Sequence, residues 1–195
     1  LGGNSLSDLI VFGKIAGESA ANYSKEQQDY SEIDQVEIDE VVNETLEPLS
    51  RQGGENPASV VNDLRVMMQN KAGIIRTGDL LQEAMSDLDL LTERSKSTSP
   101  GGGRVYNPGW HQALEIGAMI DVSRMCAIAA LKREESRGAH TRDDFPETDH
   151  EHWGNRNSVI WMDENAEMKI DFVSYPKIPK ELRSLLDSED LDEEE

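Results

Sequence analysis

The chain has 195 residues, enough for one ordinary domain or for one domain with appendages. Only 36% of the residues are hydrophobic, so the interior has to come from a few well-patterned segments. With 39 acidic and 19 basic residues the formal charge is -20, a field that repels nucleic-acid phosphates and anionic lipid and leaves any anionic substrate dependent on local arginines or backbone N–H groups.

Residues 5–23 read as the first helix, because Leu6, Ile10, Gly13, Gly17 and Ala20 recur on one face. Ser5 is a candidate N-cap, with Asp8 completing an approximate capping box. The two glycines make that face narrow, which suits close backbone packing and costs stability if nothing packs there. Residues 24–33 are polar and read as a linker. Residues 34–50 read as a second helix, with Val36, Val41, Leu46 and Leu49 apolar among many acids. Residues 52–57 form a turn, and Asn56 followed by Pro57 starts a third helix with proline at its first position. That helix runs to about Lys71 and carries Val60, Leu64, Met67 and Met68 on its apolar face. Residues 72–76 either continue it or turn. Thr77 then reads as the N-cap of a fourth helix carrying Leu80, Leu81, Ala84, Leu88 and Leu91.

A break at 95–103 ends in Pro100 and three glycines. The fifth helix begins near Pro108 and runs to about Glu134, with Ala113, Ile116, Ile120, Ala127 and Leu131 in its stripe. It is the longest and most apolar helix, so it is expected at the centre of a small bundle. It holds the one cysteine, Cys126, which reads as a buried small hydrophobe. A single cysteine excludes a disulfide framework and a zinc or iron–sulfur cluster held by this chain's own cysteines. No run reaches the roughly 18 apolar residues that span a bilayer. No direct membrane insertion is therefore expected, and no secretory leader is expected at the start.

Residues 135–153 lack periodicity and are densely polar. Residues 157–162 and 168–173 read as two strands joined by a turn, 175–179 as extended chain, and the end as a disordered acidic tail. Trp110, Trp153 and Trp161 read as packing anchors. The spacing of His111, His140, His150 and His152 does not suit a metal site, and none is expected. Arg137, His140 and Arg142 form a basic cluster in an acidic protein. Two readings stand: a site for an anion or a partner surface, or a structural network with Glu134, Glu135, Asp143 and Asp144. His140 is not assigned as a catalytic base, although histidine is suited to that work.

Three segments carry a resemblance. They are Leu1-Gly2-Gly3-Asn4-Ser5-Leu6 followed by Asp8-Leu9-Ile10-Val11-Phe12-Gly13, then Tyr106-Asn107-Pro108-Gly109-Trp110-His111, then Glu135-Ser136-Arg137-Gly138-Ala139-His140-Thr141-Arg142-Asp143-Asp144-Phe145-Pro146. In this order and spacing they resemble the flavoprotein subunits of succinate dehydrogenase and fumarate reductase; L-aspartate oxidase has similar segments. The first resembles the stretch where the FAD domain resumes after the substrate-capping domain. The second resembles a subgroup of the dehydrogenase subunits. The third resembles the signature that follows the long C-terminal helix. Together they span the chain up to the acidic tail.

The resemblance implies a mainly α fold: the C-terminal helical bundle domain of such a flavoprotein with a small β hairpin appendage, preceded by one helix of the FAD domain. It divides the chain into 1–30 as the tail end of the FAD-binding domain, 31–135 as the helical domain, 136–180 as an extended segment with the hairpin, and 181–195 as the acidic tail. FAD is the implied cofactor of the complete subunit, and succinate and fumarate are the implied substrates. The implied chemistry is hydride transfer between substrate and flavin, followed by electron transfer to a partner's iron–sulfur clusters. The implied partners are that iron–sulfur subunit and the N-terminal part of the flavoprotein. The implied location is cytoplasmic, or peripheral on the cytoplasmic face of the membrane through partner subunits.

Ser5 and Leu6 match family positions that meet the flavin through hydroxyl and backbone hydrogen bonds. A helix N-terminus suits an electron-rich carbonyl or a reduced-flavin anion. Simple capping by Ser5 is the competing reading, and both can hold together. Gly2 and Gly3 match the glycine pair whose backbone approaches the dicarboxylate, where a missing Cβ allows contact. A flexible chain end is the competing reading. The family's flavin-linking histidine and the arginine proton donor of its capping domain lie upstream of the matched stretch. Its substrate-binding arginine immediately precedes the leucine that matches Leu1. No catalytic residue is therefore expected within the chain. The chain starts at Leu1 and is read as a C-terminal fragment or processed piece, inactive by itself. Nor does a Gly-x-Gly-x-x-Gly follow a strand; Gly101, Gly102 and Gly103 sit between helices. Three alternatives remain: a helical interaction module without redox function, a separately encoded piece that works with an N-terminal part, and an unusable gene fragment.

Overall fold

Helix α1 covers Asn4–Glu26, so the first predicted helix extends beyond both expected ends. In the computed structural model, which describes residues 4–27 and 33–179, Ser5 therefore lies inside the first turn and does not cap it. The expected linker starts only after Glu26, and Lys25 complements the negative end of the helix. The apolar side chains Leu6, Leu9, Ile10, Phe12 and Ile15 are exposed along α1. A Cβ added at Gly13 or Gly17 would meet nothing within 4 Å. The narrow face read from the sequence thus has no close neighbour among the described residues. Two compact units divide the chain, Leu1–Asn43 and Glu44–Glu195, and α1 belongs to the first.

Helix α2, Gln35–Ser50, begins where the Asp34 carboxylate accepts the Val36 N–H at 2.8 Å. Val36 and Val41 of its predicted face are exposed, whereas Leu46 and Leu49 are half-buried and Pro48 is buried. The second unit then packs α3 (Pro57–Lys71), α4 (Gly78–Ser95) and α5 (Pro108–Lys132). All three starts have a side-chain cap. Asn56 accepts from Ala58 N–H at 2.9 Å, Thr77 Oγ1 from Leu80 N–H at 3.3 Å, and Asn107 Oδ1 from Trp110 N–H at 3.0 Å.

Val60, Val61, Leu64 and Met67 of α3 meet Ala84, Leu88 and Leu91 of α4 and Ile116, Ile120 and Ala127 of α5 in one core. Helix α5 touches both other helices and both strands of the hairpin, the central place its apolar stripe predicts. Cys126 does not follow the expectation of burial: it is exposed. A helix turns about 100° per residue, and Ala127 takes the core-facing position next to it. Trp110 is half-buried and donates its indole N–H to the Thr45 carbonyl at 2.8 Å. Trp153 packs edge-on to Phe172 at 4.8 Å. Trp161 is exposed and does not act as the expected anchor, because it sits on the outer face of a two-stranded ribbon.

Residues 72–76 turn. Strand β1 (Ile75–Arg76) then pairs in parallel with β2 (Thr141–Arg142). The segment 135–153, expected to be irregular, thus contains β2 and also the short helix α6, His150–Trp153, capped by Asp149. Strands β3 (Arg156–Met162) and β4 (Met168–Ser174) form the predicted antiparallel hairpin in the register Arg156 to Ser174 through Met162 to Met168. Asp163 closes the turn by accepting from Asn165 and Glu167 N–H, both at 2.9 Å. The acidic tail 181–195 and the stretch 28–32 lie outside the described residues.

Between α4 and α5 the glycine loop is held by Asn107, whose Nδ2 donates to the Gly101 carbonyl at 2.7 Å and to that of Gly103 at 2.9 Å. Gly101 and Gly102 occupy the left-handed region at φ 62° and 70°, where glycine carries no Cβ penalty. Asn107→Ala removes a helix cap and both loop bonds. It is expected to lower stability by about 1–2 kcal/mol. A lower urea midpoint at unchanged slope is the measurement that checks this.

Candidate functional site

The four residues singled out for flavin and substrate fall at the start of the chain. Gly2 and Gly3 lie outside the described residues. Ser5 and Leu6 are exposed in the first turn of α1, which has no acidic residue. The first N–H groups of a helix lack intrahelical partners, so this turn carries such donors and the positive end of a 23-residue dipole, and Asp8 is the first acidic residue after it.

The basic cluster belongs to the second unit, and its geometry is that of a structural network. Helix α5 ends at Lys132 and leaves carbonyls without intrahelical donors. Arg142 Nη1 meets three of them or their neighbours: Ala130 O at 2.8 Å, Leu131 O at 3.1 Å and Arg133 O at 3.2 Å. The rest of its guanidinium makes a two-pronged pair with Asp144, with both contacts at 2.8 Å. Asp144 in turn accepts from Gly78 N–H, the first residue of α4, at 2.8 Å. A cation thus sits at the negative end of α5, an anion at the positive end of α4, and the two are bonded to each other. The Phe145 ring covers the guanidinium with its centroid 4.9 Å away. Arg142 is 2% exposed. Its guanidinium, outweighing burial and aided by Gly78 N–H, holds the Asp144 carboxyl well below the usual carboxylate range.

Glu135 is the second centre and is 0% exposed. It accepts from Arg133 Nε at 2.8 Å, from Arg137 Nε at 3.0 Å and Nη2 at 3.1 Å, and from Asp149 N–H at 2.9 Å. Burial pushes its pKa up, but Arg137, Asp149 N–H and Arg133 together hold it below the ordinary value. The same pairing raises Arg137, and Arg137 also donates to the Asp149 carbonyl at 3.2 Å. Gly138, at φ 58°, turns the chain so that Arg137 and His140 exchange backbone hydrogen bonds of 2.8 and 3.0 Å.

His140 is half-buried, with Nδ1 3.0 Å from Arg76 Nη1 and Nε2 3.1 Å from the Arg133 carbonyl. A guanidinium has no lone pair, so Nδ1 accepts and Nε2–H donates: the ring is neutral. Burial first, and then the charges of Arg76, Arg142 and Arg133, hold its pKa below the ordinary histidine value.

Of the acids proposed from the sequence as partners, Glu135 and Asp144 take the arginines, while the Glu134 and Asp143 side chains are exposed. Sequence reasoning missed Arg76 and Arg133. Arg76 is distant in the chain and reaches the cluster only through the β1–β2 pairing, which no periodicity announces. The network offers no open acid–base pair. Among the described residues every buried side-chain N or O atom has a partner. Also among them, no group of three or more His, Cys, Asp or Glu is placed to hold a metal ion, and no helix is long and apolar enough to cross a membrane.

Residues 61–185 match a family model described as the C-terminal part of the fumarate reductase flavoprotein. The fumarate reductase flavoprotein subunit of Mycobacterium tuberculosis is 38% identical over 161 residues, covering 78% of this chain and 27% of its own. That of Helicobacter pylori is 32% identical over 183 residues, covering 91% of this chain and 25% of its own. The structure of Mycobacterium smegmatis Sdh1 in complex with UQ1 superposes with a TM-score of 0.90 at 36% identity, over 99% of this chain and 33% of that one. The chain spans a third or less of the length of each of these relatives.

Proposed function

This chain belongs to the fumarate reductase and succinate dehydrogenase flavoprotein family as its C-terminal domain, and from that membership we propose that it completes a flavoprotein that interconverts succinate and fumarate with FAD and passes electrons to an iron–sulfur subunit. The observation that carries the reading is the match over nearly the whole chain, α1 included, at an identity that supports more than fold. Residues 1–30 finish the FAD-binding domain, 31–135 form the helical domain, 136–180 the extended segment and hairpin, and 181–195 the tail. The assembly is cytoplasmic, or held at the cytoplasmic face of the membrane by partner subunits.

The residues present fit a flavin. The first turn of α1 offers N–H groups, a hydroxyl and the positive dipole end, and contains no acidic residue. When bound, FAD supplies the hydride acceptor for succinate and the hydride donor for fumarate. Ser5 gives its hydroxyl and Ser5 and Leu6 their N–H groups to the electron-rich edge of the ring, orienting it. Gly2 and Gly3 let the backbone close on the dicarboxylate. Within the second unit, Arg142 and Asp144 tie the end of α5 to the start of α4.

The test uses a flavoprotein that joins this chain to FAD- and substrate-binding portions of the family. It is expected to hold FAD and to oxidise succinate with a dye acceptor. Ser5→Ala removes one hydrogen bond to the ring and is expected to lower the rate about fivefold with an altered flavin spectrum. Absence of both bound FAD and succinate oxidation in the unsubstituted protein would sink the proposal.

A further inference from the structure

Two stretches of chain that are far apart in sequence meet at one imidazole, the Arg76 side chain from one and the Arg133 carbonyl and His140 from the other. β1 brings Arg76, the residue after α5 brings the Arg133 carbonyl, and the turn before β2 brings His140 itself. We propose that His140 is a pH-operated latch: the neutral ring ties β1 to the end of α5, and protonation in mild acid releases that tie and loosens the β1–β2 bridge.

The case is one of donors and acceptors. An imidazolium carries N–H on both nitrogens, and a guanidinium only donates. With Nε2–H already given to Arg133 O at 3.1 Å, a proton on Nδ1 would set donor against donor across the 3.0 Å contact with Arg76 Nη1. Turning the ring over does not help, since both nitrogens would still donate and one would still face the arginine. The charges around the ring add to this. Arg76 from β1, Arg133 beyond α5 and Arg142 from β2 are all cations. The nearby carboxylates are already engaged, Glu135 by Arg133 and Arg137, and Asp144 by Arg142. A charge on His140 therefore has repulsion on three sides.

The depressed pKa agrees with the geometry and sets the direction of the effect. Between the folded value and the unfolded value the unfolded chain binds more protons, so stability rises with pH in that window and is lost as pH falls through the folded value. The loss is local. Arg76 also donates from Nε to the Gly73 carbonyl at 2.5 Å, and its own carbonyl accepts the Asp143 N–H at 2.9 Å, so displacing it loosens the turn before β1 and the pairing that follows. The Arg142–Asp144–Gly78 chain does not pass through the ring and persists.

Hydrogen exchange read peptide by peptide on the intact flavoprotein tests this, at about pH 7.5 and about pH 5.5, with labelling times scaled for intrinsic exchange. Peptides covering 72–78 and 139–145 are expected to exchange about tenfold faster at the lower pH, while the α3 segment 60–67 keeps its protection. His140→Gln offers an amide oxygen to Arg76 and an amide N–H to the Arg133 carbonyl but does not titrate. It is expected to hold the same protection at both pH values. Equal protection of the wild-type bridge at the two pH values would overturn the latch, as would an acid-sensitive bridge in His140→Gln. If that variant does not fold, the wild-type contrast between the bridge and the α3 segment decides alone.

Discussion

Arg142→Met is expected to destabilise the second unit by about 3–5 kcal/mol, the loss typical of breaking a buried pair by removing one partner. Methionine fills much of the space but donates nothing. The carbonyls of Ala130, Leu131 and Arg133 lose the Nη1 donor, and the Asp144 carboxylate keeps Gly78 N–H without its countercharge. Arg142→Lys is expected to recover only part of the loss, because one ammonium cannot serve the two oxygens of Asp144 and the end of α5 at once. Urea unfolding of the three proteins measures the differences. A loss under about 1 kcal/mol in the methionine variant would show that the helix ends are not held this way.

The same variant carries a pH signature. The folded-state pKa of Asp144 is depressed, with Arg142 as the largest cause. Its stabilising effect is therefore fully present above the unfolded carboxylate value and is lost as pH falls through the folded one. Without Arg142 the two values approach each other. The acid slope of stability should flatten in Arg142→Met relative to the wild type.

Glu135→Ala is the second large effect, also about 3–5 kcal/mol. It leaves the guanidinium groups of Arg133 and Arg137 facing each other with no anion between them, and it orphans Asp149 N–H at the start of α6. Glu135→Gln keeps an acceptor and loses the charge, so a smaller loss is expected. A double-mutant cycle between positions 135 and 137 separates this pairing from the general cost of the substitution. A coupling near zero would mean that Arg137 is held by the Asp149 carbonyl alone.

What could be read from the chain was local or ordered along it. Asn56, Thr77 and Asn107 cap their helices through bonds to residues two or three positions on, so the start signals lie in adjacent letters. The apolar positions of α3, α4 and α5 repeat with the helical period, and that repeat names the core faces. The hairpin follows from two apolar runs and a turn. The family was legible because three motifs stand in a fixed order. The two readings of Arg137, His140 and Arg142 could not be separated in the same way, because the groups that engage them are far away or carry no side-chain signal. Arg76 arrives through a parallel bridge, the Ala130 and Leu131 carbonyls are backbone, and Gly78 contributes only an N–H. Burial at Cys126 depends on which side of α5 meets α3 and α4, and helical period alone does not rank two adjacent apolar residues. The sequence by itself determined where α3, α4 and α5 start, which of their faces are apolar and which family the chain resembles, since these rest on short-range hydrogen bonding and on order. Only the tertiary structure decided that the signature segment ties the end of α5 to the start of α4. A charge takes its partner from whatever the fold brings within about 4 Å, and that distance is not written in sequence separation.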